Sequence, residues 1–249
     1  MPLINWLVLG LAPSCFWLWY FRRDDPDADP EISLRVFMVG IGSTALLLLV
    51  KPWISPWVPE ADGTLRNQIL RTVFLVGFLE EAVKLDAFLL GAYLLNRFRG
   101  PLDGIAYGIA AGLGFATVEN IYLVSRAGEL DLIFLRGATA TFAHIGFTGF
   151  AGFWFGMARG RRRSVRHSLQ AFGFLGAILL HTTYAVLIKP PVDRNLLAVL
   201  GILPALHIFL LWGRHFGVRK LKAASGGDSG NLSSGNPRSP VQRRPAPRV

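Results

Sequence analysis

Seven apolar stretches follow one another along the chain, and each is close to the length that a helix needs to cross a bilayer. They cover residues 3–21, 34–50, 72–95, 104–125, 137–158, 169–188 and 196–213. The chain is 52% hydrophobic and only 17% charged, whereas soluble domains carry about 25% charged residues. We therefore predict an all-α fold, a polytopic transmembrane helix bundle of about seven spans that occupies residues 1–222.

The composition changes after the last apolar stretch, where Ser, Gly, Pro and Arg dominate. Residues 223–249 have little to bury, so we predict a disordered, basic tail for them. Most of the 26 Lys and Arg residues lie in this tail and in the first, third and fifth connections between the stretches. The positive-inside rule then places the N-terminus outside the cell and the C-terminus in the cytoplasm.

The net charge of +10 follows from the same distribution of basic residues. In a soluble protein this charge would indicate nucleic-acid binding. Here the basic residues mark the orientation of the spans, so we expect a lipid bilayer as partner and no nucleic acid. The single cysteine, Cys15, excludes an intrachain disulfide and a metal cage built from cysteines.

Two adjacent glutamates, Glu80 and Glu81, interrupt the third apolar stretch, and Lys84 follows one helical turn later. A carboxylate in hydrocarbon costs about 2.5–3.5 kcal/mol or more, so carboxylates inside a membrane usually serve a function. Either glutamate can pair with the lysine, because residues three and four positions apart share a helix face. One ion pair would leave the other carboxylate unexplained, which favours a functional site.

Polar residues on four of the stretches fall at one depth, namely Glu80, Glu81, Glu119, His144 and His181. With a rise of 1.5 Å per residue, they lie about 9–14 Å below the outer boundary of a core about 30 Å thick. Structural polar residues would scatter in depth, so the shared layer predicts a polar cavity. The fourth and fifth stretches also carry small residues every four positions, which allows close helix packing.

Such a layer is compatible with more than one function. Ion- and proton-coupled transporters also carry Glu, Lys and His inside the membrane, although neither an internal repeat nor a helix broken at the midplane is evident. A haem protein with His144 and His181 as axial ligands is a second alternative. Haem binding would leave the three glutamates without a role.

The motifs on successive stretches resemble those of a known family. They are E-E-x-x-K at residues 80–84, F-x-x-x-E-N at residues 115–120 after the segment 103–108, and the later histidines His144 and His181. In this order they are similar to the PrsW family of intramembrane proteases, which is distantly related to the CAAX prenyl endopeptidases. The resemblance covers roughly residues 1–190. One position departs from it, since the Asn often found four residues after the last histidine is Ala185, so Thr182 or Asn120 would replace it.

The resemblance implies an intramembrane endopeptidase that cuts a membrane-anchored protein substrate in a bacterial plasma membrane. The best-known role in the family is first-site cleavage of an anti-sigma factor. The predicted polar layer lies towards the outer leaflet, and this position agrees with cleavage on the external side.

Peptide hydrolysis needs an activated water, a stabilised oxyanion and a proton donor for the leaving amine. We assign the general base to Glu80 or Glu81, and the other two tasks to the two histidines. Within the fourth stretch, Asn120 is a hydrogen-bond donor for the oxyanion and Glu119 orients a histidine. Lys84 supports the glutamates by charge.

The same residues also suit a metal-dependent mechanism. His144, His181 and Glu81, with a position left open for water, form the ligand set of a zinc hydrolase. The sequence has no H-E-x-x-H motif, and ligands on separate spans have no diagnostic spacing. Zinc and a metal-free glutamate mechanism therefore both stay open.

Overall fold

The computed structural model describes residues 3–23, 28–60, 62–95, 97–127, 131–188 and 195–232. Helices dominate these residues and no strand occurs among them, which confirms the predicted all-α fold. The helices are α1 (Leu3–Arg23), α2 (Pro30–Ile54), α3 (Leu65–Thr72), α4 (Leu79–Phe88), α5 (Pro101–Ala127), α6 (Asp131–Ala138), α7 (Ala140–Ala158), α8 (Arg163–Leu187), α9 (Asn195–Leu197) and α10 (Leu203–Leu232). A 3₁₀ turn covers Ser55–Trp57, and π-helical segments cover Val73–Phe78, Leu89–Tyr93 and Ala198–Ile202.

Each predicted apolar stretch lies largely within one of these helices or a run of them. Within the described part of the chain, four helical segments are long and apolar enough to cross a membrane, namely Pro30–Trp57, Pro101–Ala127, Arg163–Leu187 and Ala198–Arg219. The count of seven spans and the orientation of the termini stay predictions. Helix α10 continues past residue 223, where the predicted tail begins, while residues 233–249 lie outside the described residues. The division into bundle and tail also stays a prediction.

Helices α5 and α7 form the centre of the bundle, and glycines allow their backbones to meet. A Cβ atom on Gly104 would collide with the backbone carbonyl of Gly152, and a Cβ atom on Gly152 would collide with that of Gly104. Further along the same contact, a Cβ atom on Gly112 would lie 2.7 Å from the carbonyl oxygen of His144. The predicted small-residue surfaces therefore pack against each other, and they bring the polar residues of α5 and α7 together.

The connection from α2 to α3 is ordered by local hydrogen bonds. Asp62 accepts from the Thr64 hydroxyl at 2.7 Å, from the Thr64 backbone N–H at 3.0 Å and from the Asn67 amide at 2.8 Å. The Thr64 hydroxyl and backbone N–H, followed by Asn67, hold the pKa of Asp62 below its usual value. Thr64 in turn caps the N-terminus of α3 by accepting from the Asn67 backbone N–H. Helix α3 therefore begins at a defined point and a defined angle.

The π-helical segment Val73–Phe78 sets the direction of α4. Such segments are rare and often occur at functional sites. Within it, Gly77 packs against α8 so closely that a Cβ atom would collide with the Thr182 hydroxyl. The extra backbone in this turn and the missing side chain together let α4 present its two glutamates to α8.

Candidate active site

Polar side chains of α4, α5, α7 and α8 meet in one buried cluster. The Lys84 ammonium lies at its centre, and the Lys84 side chain is 0% exposed. Nζ lies 2.6 Å from Glu81 Oε1. The same atom lies 2.9 Å from His144 Nδ1 and 3.5 Å from His181 Nδ1. On another side, the ring of Phe115 is centred 4.3 Å from the ammonium, which adds a cation–π contact. Of the two pairings that the sequence spacing allows, the structure contains the one between Glu81 and Lys84.

The hydrogen bonds assign the proton on each imidazole ring. An ammonium only donates, so His144 accepts from Lys84 at Nδ1 and donates from Nε2–H to Glu119 Oε2 at 2.9 Å. His181 Nδ1 lies 2.8 Å from Glu81 Oε1, closer than it lies to Lys84, so this nitrogen donates to the carboxylate. The lone pair of a neutral His181 therefore lies on Nε2, the nitrogen that the cluster leaves available for chemistry.

Arg136, on the short helix α6, holds the side of the cluster that α5 provides. Its Nη2 donates to Glu119 Oε2 at 2.6 Å, and its Nε donates to Asn120 Oδ1 at 2.8 Å. The Asn120 amide donates in turn to the Thr141 hydroxyl at 2.8 Å. Arginine therefore fixes the carboxylate that orients His144. Arg136 is not among the predicted site residues, because in the sequence it is one of the basic residues of a connection between two apolar stretches.

Glu80 lies on the opposite side of the cluster and has a different environment from Glu81. Its Oε1 accepts from the Lys51 ammonium of α2 at 2.7 Å. Its Oε2 is buried, has no hydrogen-bond partner among the residues that the structure describes, and lies 3.8 Å from His181 Nε2. One oxygen of Glu80 is thus held by a cation, and the other, unpartnered oxygen faces the available nitrogen of His181. Sequence position alone assigned no partner to Lys51, which lies near the end of a predicted span.

A cavity of about 570 Å³ reaches this side of the cluster. Its wall is formed by α2, α3, the segment Val73–Phe78, the start of α4 and α5. Glu80 and Glu119 line the cavity, whereas Glu81, His144 and His181 do not. Glu80 is only 4% exposed, so the cavity reaches only the edge of its side chain. Glu80 and Glu119 are therefore the two carboxylates that border the cavity.

The donor set that the sequence predicts for a metal does converge. One ligand atom from each of Glu81, His144 and His181 lies within 4.8 Å of the others. The pairing of His144 Nε2 with Glu119 also matches the way carboxylates orient metal-binding histidines. Two imidazoles and a carboxylate suit zinc, so the residues fit such an ion. The Lys84 ammonium contacts these same three side chains, so metal and ammonium compete for them.

The structure gathers all the predicted site residues but gives Asn120 a different place from the one its proposed role requires. Asn120 is 0% exposed, does not line the cavity and is engaged with Arg136 and Thr141. The hydroxyl of Thr182 is buried without a hydrogen-bond partner in the described ranges. Because Thr182 lies one residue after His181, it is placed better than Asn120 to replace the amide absent at Ala185.

Comparisons with known proteins agree with the motifs. The family model described as PrsW family intramembrane metalloprotease matches residues 29–212. The Protease PrsW of Geobacillus kaustophilus is 32% identical over 222 residues, which cover 87% of this chain and 91% of that protein. The Protease PrsW of Bacillus subtilis is 28% identical over 86% of this chain and 93% of the relative, and that of Shouchella clausii is 27% identical over 90% and 98%. No solved structure matches the chain.

Proposed function

Because the chain belongs to the PrsW family of intramembrane proteases, and is therefore a peptidase of the bacterial membrane, we propose that Glu80 is its general base. The observation that carries this proposal is the position of Glu80 Oε2, which is unpartnered among the described residues and belongs to a side chain that lines the cavity. Glu81 is less suited to this role, because it is buried behind the cavity and bound to both Lys84 and His181.

In the proposed reaction, a water molecule in the cavity donates a proton to Glu80 Oε2 as its oxygen attacks the carbonyl carbon of the substrate. The resulting oxyanion forms near two groups that carry or can acquire positive charge, the Lys51 ammonium and the imidazole of His181. The proton on Glu80 Oε2 then passes to the nitrogen of the leaving amine, directly or by way of His181 Nε2 at 3.8 Å, and the peptide C–N bond breaks. General acid–base transfer of this kind contributes about 10²–10⁴-fold to a rate.

The remaining residues act by positioning. The Glu81 carboxylate accepts from His181 Nδ1 and stabilises the ring when Nε2 gains a proton, much as Asp supports His in a serine-protease triad. Lys84 balances the charge of Glu81 where both side chains are almost fully buried. Glu119 and Arg136 hold His144 against Lys84.

A zinc ion held by Glu81, His144 and His181 would polarise the substrate carbonyl or activate water as a Lewis acid. Binding of that ion requires the Lys84 side chain to leave the three groups it contacts. The alternatives gain less support. The rings of His144 and His181 meet edge to face with centroids 5.1 Å apart, which leaves no space for a porphyrin between them. The family assignment favours proteolysis over transport.

We further propose that the substrate is a single-span membrane protein cut near the outer leaflet, with an anti-sigma factor as the first candidate. To test this, a single-span anti-sigma factor from the same genome is co-expressed with the parent protein, with Glu80→Gln or with Glu60→Gln. Glu60 is an exposed glutamate outside the cavity and serves as the matched control. Protein amounts are compared by blot.

We expect a fragment with the parent and with Glu60→Gln but not with Glu80→Gln. Equal fragment with Glu80→Gln, at equal protein amounts, would contradict the assignment of the base. If other single-span proteins were cut but the anti-sigma factor was not, the proposed substrate would be wrong and the peptidase assignment would stand.

A further inference from the structure

The cavity wall carries four charged side chains, and three of them are paired with opposite charge. Lys51 pairs with Glu80, and Glu119 pairs with Arg136. The fourth is Arg71 of α3, for which the described residues supply no carboxylate partner. A cation without a counter-charge in a cavity beside an active site is a candidate group for substrate recognition.

The contacts that Arg71 does make are with neutral groups. Nη1 donates to the backbone carbonyls of Ser55, Val58 and Pro59 at 3.4, 3.5 and 3.2 Å. The bond to Pro59 is at the long end of the normal range and the other two are longer than that range, and all three use one nitrogen of the fork. The guanidinium has five N–H donors, so Nε and Nη2 keep donors for a further acceptor. A carboxylate is the acceptor that a guanidinium fork binds best.

A second group beside Arg71 also has an unmet hydrogen bond. Gln68 lies three residues earlier on the same face of α3 and lines the same cavity. Its Oε1 is buried and has no hydrogen-bond partner within the described chain. An unpaired buried acceptor is costly, so it marks a place where a ligand N–H can bind. The two side chains together offer a donor fork and an acceptor, which match a carboxylate and a backbone amide.

We infer that the cavity binds an extended segment of the substrate, and that Arg71 and Gln68 form a subsite for an acidic residue of that segment. This inference rests on the proposed function. The segment must be extended because a helical peptide has its carbonyls engaged in backbone hydrogen bonds and screened by side chains. Between the pair Arg71 and Gln68 at one end and Glu80 at the other, the cavity lining is mostly apolar. Such a lining suits the residues next to the membrane span of an anchored protein.

The geometry gives the register of the acidic residue. Arg71 and Glu80 are nine positions apart on one helical run. At the α-helical rise of 1.5 Å per residue their backbone positions would be about 13 Å apart along the helix axis, and the π-helical segment Val73–Phe78 shortens this separation slightly. An extended chain advances about 3.3–3.6 Å per residue. The acidic side chain is therefore expected about four residues from the bond that is cut.

A reporter library tests this inference together with its register. The probe is a single-span membrane protein with a randomised twelve-residue segment (about 40 Å when extended) next to the outer end of its span. The library is co-expressed with the parent, Glu80→Gln, Arg71→Gln, Arg71→Lys or Arg66→Gln, and the cut reporters are sequenced. Arg66 is an exposed arginine of α3 outside the cavity and serves as the control.

We expect Asp and Glu to be enriched about tenfold or more at one position about four residues from the cut, as a charge-assisted hydrogen bond predicts. The enrichment persists with Arg66→Gln, weakens with Arg71→Lys and disappears with Arg71→Gln. A purely structural Arg71 would lower the amount or activity of the protein and leave the preference unchanged, which would overturn the inference. Cleavage without any acidic preference would overturn it too. If the parent cut the library no more than Glu80→Gln does, the proposed peptidase site itself would be refuted.

Discussion

Removal of the Arg136 side chain tests whether the support behind His144 contributes to catalysis. In Arg136→Ala, Glu119 loses its 2.6 Å bond to the guanidinium and Asn120 loses its 2.8 Å bond. Hydrogen bonds to charged groups contribute about 1.5–3 kcal/mol each. The side chains of Arg136 and Glu119 are 17% and 20% exposed, so water replaces part of this interaction. We expect the free energy of unfolding to fall by about 2 kcal/mol.

The effect on catalysis comes from the hydrogen bond between Glu119 and His144. Among the described residues, Glu119 would keep only His144 as a hydrogen-bond partner, so the imidazole would lose its fixed orientation against Lys84. Loss of a carboxylate that orients an active-site histidine typically lowers activity or metal affinity about 10- to 100-fold. We expect a fall of this size in kcat with little change in KM, because Arg136 does not line the cavity. Arg136→Lys keeps the charge but not the fork, so its kcat should lie between those of Arg136→Ala and the parent.

The assay compares purified variants in liposomes with a cleaved single-span reporter and measures thermal unfolding in parallel. Arg97→Ala is the control, because Arg97 also pairs with a carboxylate, Asp29 at 3.0 Å, but is 69% exposed. Exposed pairs contribute little because water screens them, so this variant should match the parent. If Arg136→Ala unfolded earlier but kept full kcat, the role of Arg136 would be structural only. If it matched Arg97→Ala in both measurements, Arg136 would support neither the fold nor His144.

Other contacts give further predictions. Lys84→Met removes the cation that competes for the metal ligands, so zinc affinity measured by titration calorimetry should rise; an unchanged affinity would refute the competition. The same variant leaves Glu81 without its cation and should lose about 3–5 kcal/mol of stability, measured by thermal unfolding. Treatment of the parent with a chelator should leave its unfolding temperature unchanged, because Lys84 already binds these ligands; a marked decrease would show that metal holds the fold. Gly104→Ala and Gly152→Ala should each lower the free energy of unfolding by about 1–3 kcal/mol or more, because the new Cβ atom collides with backbone. Gly42→Ala should not, because a Cβ atom on Gly42 meets no atom within 4 Å.

The sequence predicted the residues of the centre because each motif lies on a different apolar helix. Glu81, His144 and His181 are far apart along the chain, yet their estimated depths agree, and the structure brings their ligand atoms within 4.8 Å. The glycines at four-residue spacing similarly predicted a close helix contact, which occurs between α5 and α7. Depth and spacing are properties of single helices, so one sequence was sufficient to predict them.

The partners of these residues could not be predicted in the same way. Lys51 reaches Glu80, and Arg136 reaches Glu119, from segments whose basic residues have an ordinary explanation as charges at the ends of spans. The choice between Glu80 and Glu81 as the partner of Lys84 depends on helix rotation, which the segment Val73–Phe78 changes. This segment is apolar throughout, so its hydrophobic pattern gives no sign of a π-helical turn.

A paired comparison of Glu80→Gln and Glu81→Gln tests whether Glu80 is the general base. Both changes replace a buried carboxylate by an amide of similar shape, and the purified variants are assayed for kcat and thermal unfolding in the same liposomes. We expect Glu80→Gln to lose about 10²-fold or more in kcat, because Oε2 takes part in proton transfer. Its loss of stability should be smaller than that of Glu81→Gln, because the amide oxygen can still accept from Lys51, which is partly exposed. Glu81→Gln should lose stability as well as activity, because Lys84 and His181 lose their shared acceptor. Full turnover by Glu80→Gln would contradict the claim that this carboxylate activates the water.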